Sequence, residues 1–279
     1  MDPKKNIIWL ASYPKSGNTW LRVLLSNYLN ETDQAIDINN IDASIISSSR
    51  TLFDSHCPYL ASDLTFDEID NLRPLVYSEI AKESDACIYI KTHDAAIQNA
   101  NNLSLFPEEN TKLVIHIVRN PLDVCVSYAY HSNISINKSV KSLNSHISLS
   151  SSKWKLGNQL RQNMLSWTDH YKSWKGFKAP YLLVKYEDLI LDTEKEFARI
   201  LEHIYTNVDV KKLKNAVALS TFKNLKKQEQ EDDFKEKPIN AKSFFRKGKS
   251  DAWEDEMTKS QIQNIVENNK DVMLELDYI

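Results

Sequence analysis

The chain lacks most features that announce a metalloprotein, a secreted scaffold or a membrane protein. Its 279 residues include three cysteines, Cys57, Cys87 and Cys125. Their number is odd, they lie far apart, and no CxxC or Cys/His metal spacing occurs. They read as free thiols in a reducing compartment, and no metal is expected. Excess positive charge is missing too: 35 Lys and Arg face 38 Asp and Glu, a formal net charge of -3. A general binder of nucleic acid or of anionic membranes would be more basic. Neither partner is expected, and any anion site must be a local device. Long hydrophobic runs are also absent. Ile7-Ile8-Trp9-Leu10-Ala11 is too short for the core of a secretory signal, and nothing approaches a membrane span. A cytoplasmic protein is the expectation. There is no internal repeat and no clean boundary. With 42% hydrophobic residues the chain can build a real core, so residues 1–279 are read as one domain.

What is present is a repeated strand-then-helix pattern. Ile7 to Ala11 suits a strand buried on both faces. A turn, Tyr13-Pro14-Lys15-Ser16-Gly17-Asn18-Thr19, follows it. Leu21, Leu24, Leu25, Tyr28 and Leu29 then recur at helical spacing. Cys87 to Ile90 predicts a second strand running into Lys91-Thr92-His93. Leu113 to Val118 predicts a third, running into Arg119-Asn120-Pro121, where Asn120 can cap a helix and Pro121 fits its first position. Tyr181 to Val184 predicts a fourth, before Lys185-Tyr186-Glu187-Asp188. Phe197, Ile200, Leu201 and Ile204 line one face of the helix after it. Strands alternating with helices imply an α/β fold: a central parallel β-sheet flanked by helices on both faces. Ligands of such sheets bind outside the carboxyl ends of the strands. Lys15, His93, Arg119 and Tyr186 are expected to converge there. Thr65-x-x-Glu68 and Thr258-x-x-Gln261 have the spacing of capping boxes that open helices. Ser132 to Ser152 reads as a loop or lid, and the charged run Lys226 to Lys237 as solvated and mobile.

Four segments carry chemistry. The Tyr13–Thr19 turn offers backbone N–H groups and a helix start to a phosphate, with Lys15, Ser16 and Thr19 adding donors. It is not a Walker A loop: Asn18 stands where that loop has lysine. An ordinary turn with a surface lysine is the bland alternative. His93, at a strand end, can take a proton near neutral pH, although a lone histidine there is often structural. Lys91, two residues earlier, can stabilise negative oxygens. Arg119 offers paired donors that suit a phosphate; otherwise it pairs with Asp123. Arg246-Lys247-Gly248 places two cations beside a glycine that lets backbone approach an anion, or it is a solvated basic patch.

Taken in order, these segments resemble those of cytosolic-type sulfotransferases, with the chain as a bacterial-like member. Tyr-Pro-Lys-Ser-Gly-Asn-Thr-Trp, residues 13–20, is similar to the family's YPKSGTTW. Lys91-Thr92-His93 matches K-T-H. Val118 to Tyr128, Tyr186-Glu187-Asp188, Thr221-Phe222-x-x-Leu225 and Arg246-Lys247-Gly248 match further elements. The resemblance implies a P-loop-like fold and transfer of a sulfuryl group from 3′-phosphoadenosine 5′-phosphosulfate (PAPS) to a hydroxyl or amine of a small-molecule acceptor. The expected product is 3′-phosphoadenosine 5′-phosphate (PAP), and no metal is needed. It implies that Lys15, Ser16, Gly17, Asn18 and Thr19 hold the 5′-phosphosulfate. Arg119, Ser127, Arg246, Lys247 and Gly248 would hold the 3′-phosphate. Trp20, Tyr186, Thr221 and Phe222 would lie against adenine. His93 would be the catalytic base, assisted by Lys15, Lys91 and Ser127. Asn18 replaces a family threonine, so its backbone N–H carries the contact. Trp167-x-x-His170-x-x-x-Trp174 resembles a family helix, with His170 read as structural. The family's C-terminal dimer motif is not legible, because Lys259 rather than valine follows Thr258; the oligomeric state is left open.

Two other readings remain at this point. A P-loop-type small-molecule kinase would want a lysine after Gly17 and an acid at a strand end for Mg²⁺, a place Asp94 or Asp123 can fill. A non-catalytic nucleotide-binding module would need no His93.

Overall fold

Six consecutive buried residues, Ile7–Ser12, make the first strand, β1. A strand covered on both faces has no polar alternation to display, which is why it reads as a continuous apolar run. A computed structural model describes residues 4–41, 45–149, 157–238, 241, 243–246 and 248–279. After β1 come α1 (Asn18–Leu29), β2 (Ile45–Ile46), α2 (Arg50–His56), α3 (Phe66–Lys82), β3 (Ile88–Thr92) and β4 (Thr111–Val118). Next are α4 (Pro121–His131), α5 (Ile136–Leu143), β5 (Ile147–Leu149), β6 (Gln162–Leu165), α6 (Trp167–Lys175) and β7 (Tyr181–Lys185). The chain closes with α7 (Tyr186–Leu191), α8 (Thr193–Ile204), α9 (Val210–Leu219), α10 (Phe222–Glu231) and α11 (Lys259–Glu275).

The central sheet is parallel, has five strands in the order β2-β3-β1-β4-β7, and is flanked by helices. The register of β1 on β3 runs from Ile7 opposite Ile88 to Ala11 opposite Thr92. The strand order changes direction at β1, with β3 on one side and β4 on the other. Such switch points are where parallel sheets open a crevice for ligands.

Contacts group the chain into two compact units. The first comprises Met1–Tyr13, Ser44–His116 and His146–Leu183. Its core centres on Trp9, which meets Tyr77 and Phe106 edge-on with ring centroids 5.0 and 4.7 Å away. The indole N–H of Trp9 donates to Thr111 Oγ1 at 2.9 Å, so the polar atom of this buried ring is satisfied. The second unit comprises Pro14–Ala43, Ile117–Ser145 and Val184–Ile279. There α8 buries Phe197, Ile200, Leu201 and Ile204, the four positions its spacing marks. A separate cluster joins Val23, Ile38, Ile41, Leu225, Phe234 and Phe245.

Both capping boxes form, at Thr65 with Glu68 and at Thr258 with Gln261. Asn120 caps α4, accepting from the Leu122 N–H, with Pro121 in the first turn. Three local expectations change. β3 extends to Thr92, because its pairing with β1 continues through Lys91 and Thr92. The Ser132–Ser152 stretch is not a plain loop: Ser135 caps α5, and β5 pairs with β6. Only Val140 and Leu143 among the apolar residues of α5 are buried, too sparse a pattern to stand out in the sequence. Residues 150–152 of that stretch lie outside the described residues. The charged run from Lys226 begins inside α10, where Glu229 is buried.

Candidate functional site

In the second unit, the turn before α1 has alternating left-handed backbone. Lys15 and Gly17 both take positive φ, 71° and 106°, on either side of Ser16. Such alternation turns successive N–H groups toward one side, as in anion-binding nests. Gly17 is also the N-cap of α1 and makes no side-chain cap hydrogen bond to the first turn. Its place is closed to other residues: a Cβ there would stand 2.5 Å from Tyr186 Cδ2. The buried hydroxyl of Ser16 has no hydrogen-bond partner. Asn18 and Thr19 begin α1 and are buried, and Trp20 follows half-buried.

Arg119 converges on the same turn. One guanidinium nitrogen donates to the Lys15 carbonyl at 3.3 Å and another to the Lys249 carbonyl at 3.1 Å. Its plane lies 4.4 Å from the Tyr186 ring centre. Its buried Nε has no partner. The Asp123 carboxylate is 3.7 Å away, but its oxygens are taken by the N–H groups of Asp251 and Ala252 at 2.9 and 3.0 Å. Burial pushes the Asp123 carboxyl upward, against the Arg119 charge and those N–H groups. Asp123 therefore fastens the chain beyond Lys249 more than it neutralises Arg119.

Aromatic rings complete this side. Trp20 meets Tyr186 edge-on at 5.9 Å and donates from its indole to the Ser220 carbonyl at 2.9 Å. Burial pushes the Tyr186 phenol above its ordinary range. Thr221 caps α10 by accepting from the Asn224 N–H, and Phe222 packs on Gly248, whose φ is 59°. A Cβ at Gly248 would lie 2.2 Å from the Phe222 ring. Lys15 Nζ sits 3.9 Å from the Phe244 ring centre and 3.4 Å from His131 Nδ1. Ser127 stands on α4 one turn after Asp123 and one turn before His131, so the three share a helix face. Arg246 pairs with Glu256 at 2.7 Å and lies over Tyr130. Lys247 falls outside the described residues.

The first unit holds Lys91 and His93. Lys91 is buried in β3, and His93 is half-buried just beyond the strand. His93 Nδ1 is 2.7 Å from the Ser12 carbonyl and 3.3 Å from Ser12 Oγ. A carbonyl can only accept, so Nδ1 carries the proton and the basic lone pair of the neutral ring belongs to Nε2. The backbone that carries His93 is pinned from behind. Trp174 Nε1 donates to the Asp94 carbonyl at 3.0 Å, and His170 hydrogen-bonds the backbone of His93 and Asp94. The Asp94 side chain, wholly buried, takes Arg73 at 2.6 Å and the Asn163 N–H at 2.7 Å. Burial works against the Arg73 charge, but Asp94, Tyr77 and Asp70 outweigh it and hold the guanidinium well above its ordinary value. Burial drives His170 down to about 3, and pushes His116, 5.5 Å from it, well below the usual histidine range. Both rings are neutral at physiological pH.

The sequence did not point to Ser12, Asp94 or Arg73 as supports of His93. Ser12 acts through its carbonyl, which leaves no residue-type signature. In the sequence Asp94 suggests only an acid for a metal; in the fold it is spent on Arg73. His170 does carry a signal, the Trp167-x-x-His170-x-x-x-Trp174 spacing, and its structural role includes the backbone of His93. Among the described residues no group of three or more His, Cys, Asp or Glu could hold a metal ion. Among them, too, no helix is long and apolar enough to cross a membrane.

The parallel sheet flanked by helices, with a strand-turn-helix opening at α1, places the chain in the P-loop-like α/β class of folds. The chain belongs to the sulfotransferase family, whose sulfotransferase domain matches residues 5–277. It is 28% identical to mouse Sulfotransferase 1B1 over 226 residues, covering 78% of this chain and 65% of that protein. It is 26% identical to rat Sulfotransferase 2A2 over 156 residues, 54% of this chain and 52% of that protein. In both matches the chain spans less than two thirds of the relative's length. Against Flavonol 3-sulfotransferase of Flaveria bidentis it is 26% identical over 277 residues, 93% of this chain and 79% of that protein. Among solved structures it resembles mouse sulfotransferase SULT7A1 complexed with PAP, with a TM-score of 0.61, 20% identity, and coverage of 98% of this chain and 86% of that one. It also resembles retinol dehydratase in a complex with retinol and PAP, with a TM-score of 0.63, 17% identity, and coverage of 97% and 82%. At these identities the two structures establish the shared fold.

Proposed function

We propose that the whole chain works as one PAPS-dependent sulfotransferase domain acting on a small hydroxyl- or amine-bearing acceptor in the cytoplasm. The observation that carries this is the pair of buried donors without partners, Ser16 Oγ and Arg119 Nε, beside the positive-φ backbone of Lys15 and Gly17. Buried donors are rarely left unmet, and an anionic ligand meets them. Family membership and relatives whose structures hold PAP support the identity of that anion.

PAPS, when bound, supplies the sulfuryl group. Lys15, with Ser16, Asn18, Thr19 and the turn backbone, binds the 5′ end and meets the charge that grows on the bridging oxygen. Arg119, Ser127 and the segment around Arg246, Lys247 and Gly248 bind the 3′-phosphate. Trp20, Tyr186, Thr221 and Phe222 hold the base. His93 takes the acceptor's proton at Nε2, the nitrogen that the Ser12 carbonyl leaves basic. Lys91 steadies the sulfuryl oxygens. No metal is needed, because cations of the protein neutralise the charge.

Calorimetric titration tests the reading. PAP should bind much more tightly than AMP or ATP, and a screen of acceptors with labelled PAPS should show transfer without added Mg²⁺. Equal affinity for PAP and AMP would remove the 3′-phosphate site. Turnover that strictly requires Mg²⁺ would favour a kinase.

A further inference from the structure

The strap around Arg246 is fastened by a residue outside every anion-binding element. Glu229 lies in the third turn of α10, within a run of lysines and acids that looks solvated, yet it is 9% exposed. One carboxylate oxygen accepts the Phe244 N–H, and the other accepts the Phe245 N–H and the Ser243 hydroxyl, both at 3.0 Å. Hydrogen bonds to an ionised acceptor are about twice as strong as neutral ones. Two consecutive N–H groups on one carboxylate fix two consecutive peptide planes, so the course of the chain into Arg246 is set. Downstream, Asp123 holds the Asp251 and Ala252 N–H groups. Between these two clamps lie Arg246 and the positive-φ Gly248. The upstream clamp also seats Phe244 against Lys15 and Phe245 against the Phe222 and Phe234 rings.

We propose that Glu229 is a positioning residue that gives the site its selectivity for a 3′-phosphorylated nucleotide, by holding the Ser243–Arg246 backbone in place before the ligand arrives. The inference rests on the sulfotransferase reading above. It assigns Glu229 no contact with the nucleotide; its effect passes through the strap. Without the clamp the strap must be ordered on binding, and that cost falls on ligands that use it. A nucleotide with a 3′-phosphate uses it directly, through Arg246; one without meets it only at second hand, through Lys15 on Phe244 and Phe222 on Phe245, so its share of the cost is smaller.

The test is calorimetric titration of PAP and AMP against the full chain, in wild type, Glu229→Ala, Glu229→Gln and Glu231→Ala. Glu231 is an exposed neighbour on α10, and its removal controls for the loss of one negative charge. Losing hydrogen bonds to a charged group should weaken PAP about tenfold in Glu229→Ala. AMP affinity should stay within about twofold, a change well under that tenfold step. Glu229→Gln keeps one acceptor oxygen and should show an intermediate loss, about threefold. Glu231→Ala should match wild type. If PAP and AMP weaken by the same factor, or PAP does not weaken, the proposal is overturned. Should Glu229→Ala fail to fold, Glu229→Gln decides: an unchanged PAP-to-AMP ratio overturns it. Wild-type protein that binds AMP as tightly as PAP would instead overturn the sulfotransferase reading, a separate result.

Discussion

Two buried polar clusters, one in each unit, are arranged in opposite ways. Around the Lys15–Gly17 turn, in the second unit, donors are buried and left unmet at Ser16 and Arg119. Around Asp94, in the first unit, a buried ion pair is closed by several partners: Arg73 meets Asp94 and Asp70, Arg161 meets Asp70, and Asn163 donates to both acids. An unmet buried donor costs stability and is kept where a ligand repays it. A closed network adds rigidity and leaves nothing over for a ligand. On the proposed reading, the Lys15–Arg119 side is prepared to bind an anion, and the His93 side is prepared to hold one ring in one tautomer. Substitutions should separate the two cleanly, with binding lost on one side and rate or stability on the other.

The largest effect should come from His93→Ala. Loss of a general base costs about 10²- to 10⁴-fold in rate, and kcat should fall by that factor while PAP affinity stays at the wild-type value. Steady-state kinetics with a hydroxyl acceptor, where chemistry limits the rate, would show it. A full kcat would dismiss His93 as base and turn attention to His131, 3.4 Å from Lys15. Next in size is Arg73→Ala, which leaves Asp94 charged, buried and without its main partner. Breaking one side of a buried pair costs about 3–5 kcal/mol, read as a drop in Tm or in the urea midpoint. Replacing both, Arg73→Met with Asp94→Leu, should recover most of that loss. A double variant as unstable as the single one would show that the network is valued for its shape and not for its charge balance.

Much of this layout is legible in the sequence, unevenly so. β1, β4, β7 and α8 follow from apolar runs and helical spacing, because each buries a nearly continuous face. The residues of the Tyr13–Thr19 turn, Arg119 and Gly248 stand out because the proposed anion site calls for particular residue types. α5, with its sparse apolar positions, leaves no helical pattern, and Glu229 is hidden in a charged run. The supports of His93 are invisible for another reason. Ser12 works through its carbonyl, and Arg73 and Asp94 are 21 residues apart in sequence, joined only by the fold. Long-range polar closure leaves no local pattern.

A smaller effect, confined to the first unit, should appear in acid. His116 and His170 are held below their ordinary pKa, which in an unfolded chain is about 6.5. The native rings stay neutral while the unfolded ones take up protons, so the unfolded state binds more protons below that pH. The stability from each ring is whole above about pH 6.5 and falls as pH drops, by about 1.4 kcal/mol per unit for each histidine. For His170 the decline ends near its native value of about 3. Urea midpoints measured from pH 7 to 5 should show this slope, and His170→Gln should flatten it by one histidine's share. An unchanged slope in that variant would mean that His170 is protonated in the native state.

The smallest effect separates the units by a single methyl group. Gly17, in the second unit, has φ 106° and a ring 2.5 Å from any added Cβ, so Gly17→Ala should weaken PAP binding and destabilise the fold. Gly176, in the first unit, ends α6 with φ -85°. A Cβ there would meet the Lys172 and Ser173 carbonyl oxygens at 3.4 and 3.8 Å, ordinary contacts. The native chain accepts alanine at that φ, and the unfolded chain loses freedom. Such a change gains about 0.4–1 kcal/mol where the conformation is compatible. Gly176→Ala should therefore raise Tm slightly and leave both kcat and PAP affinity unchanged. A clear fall in Tm would show that the Lys172 carbonyl cannot yield, and a fall in kcat would show that the end of α6 takes part in holding His93 through Trp174 and His170.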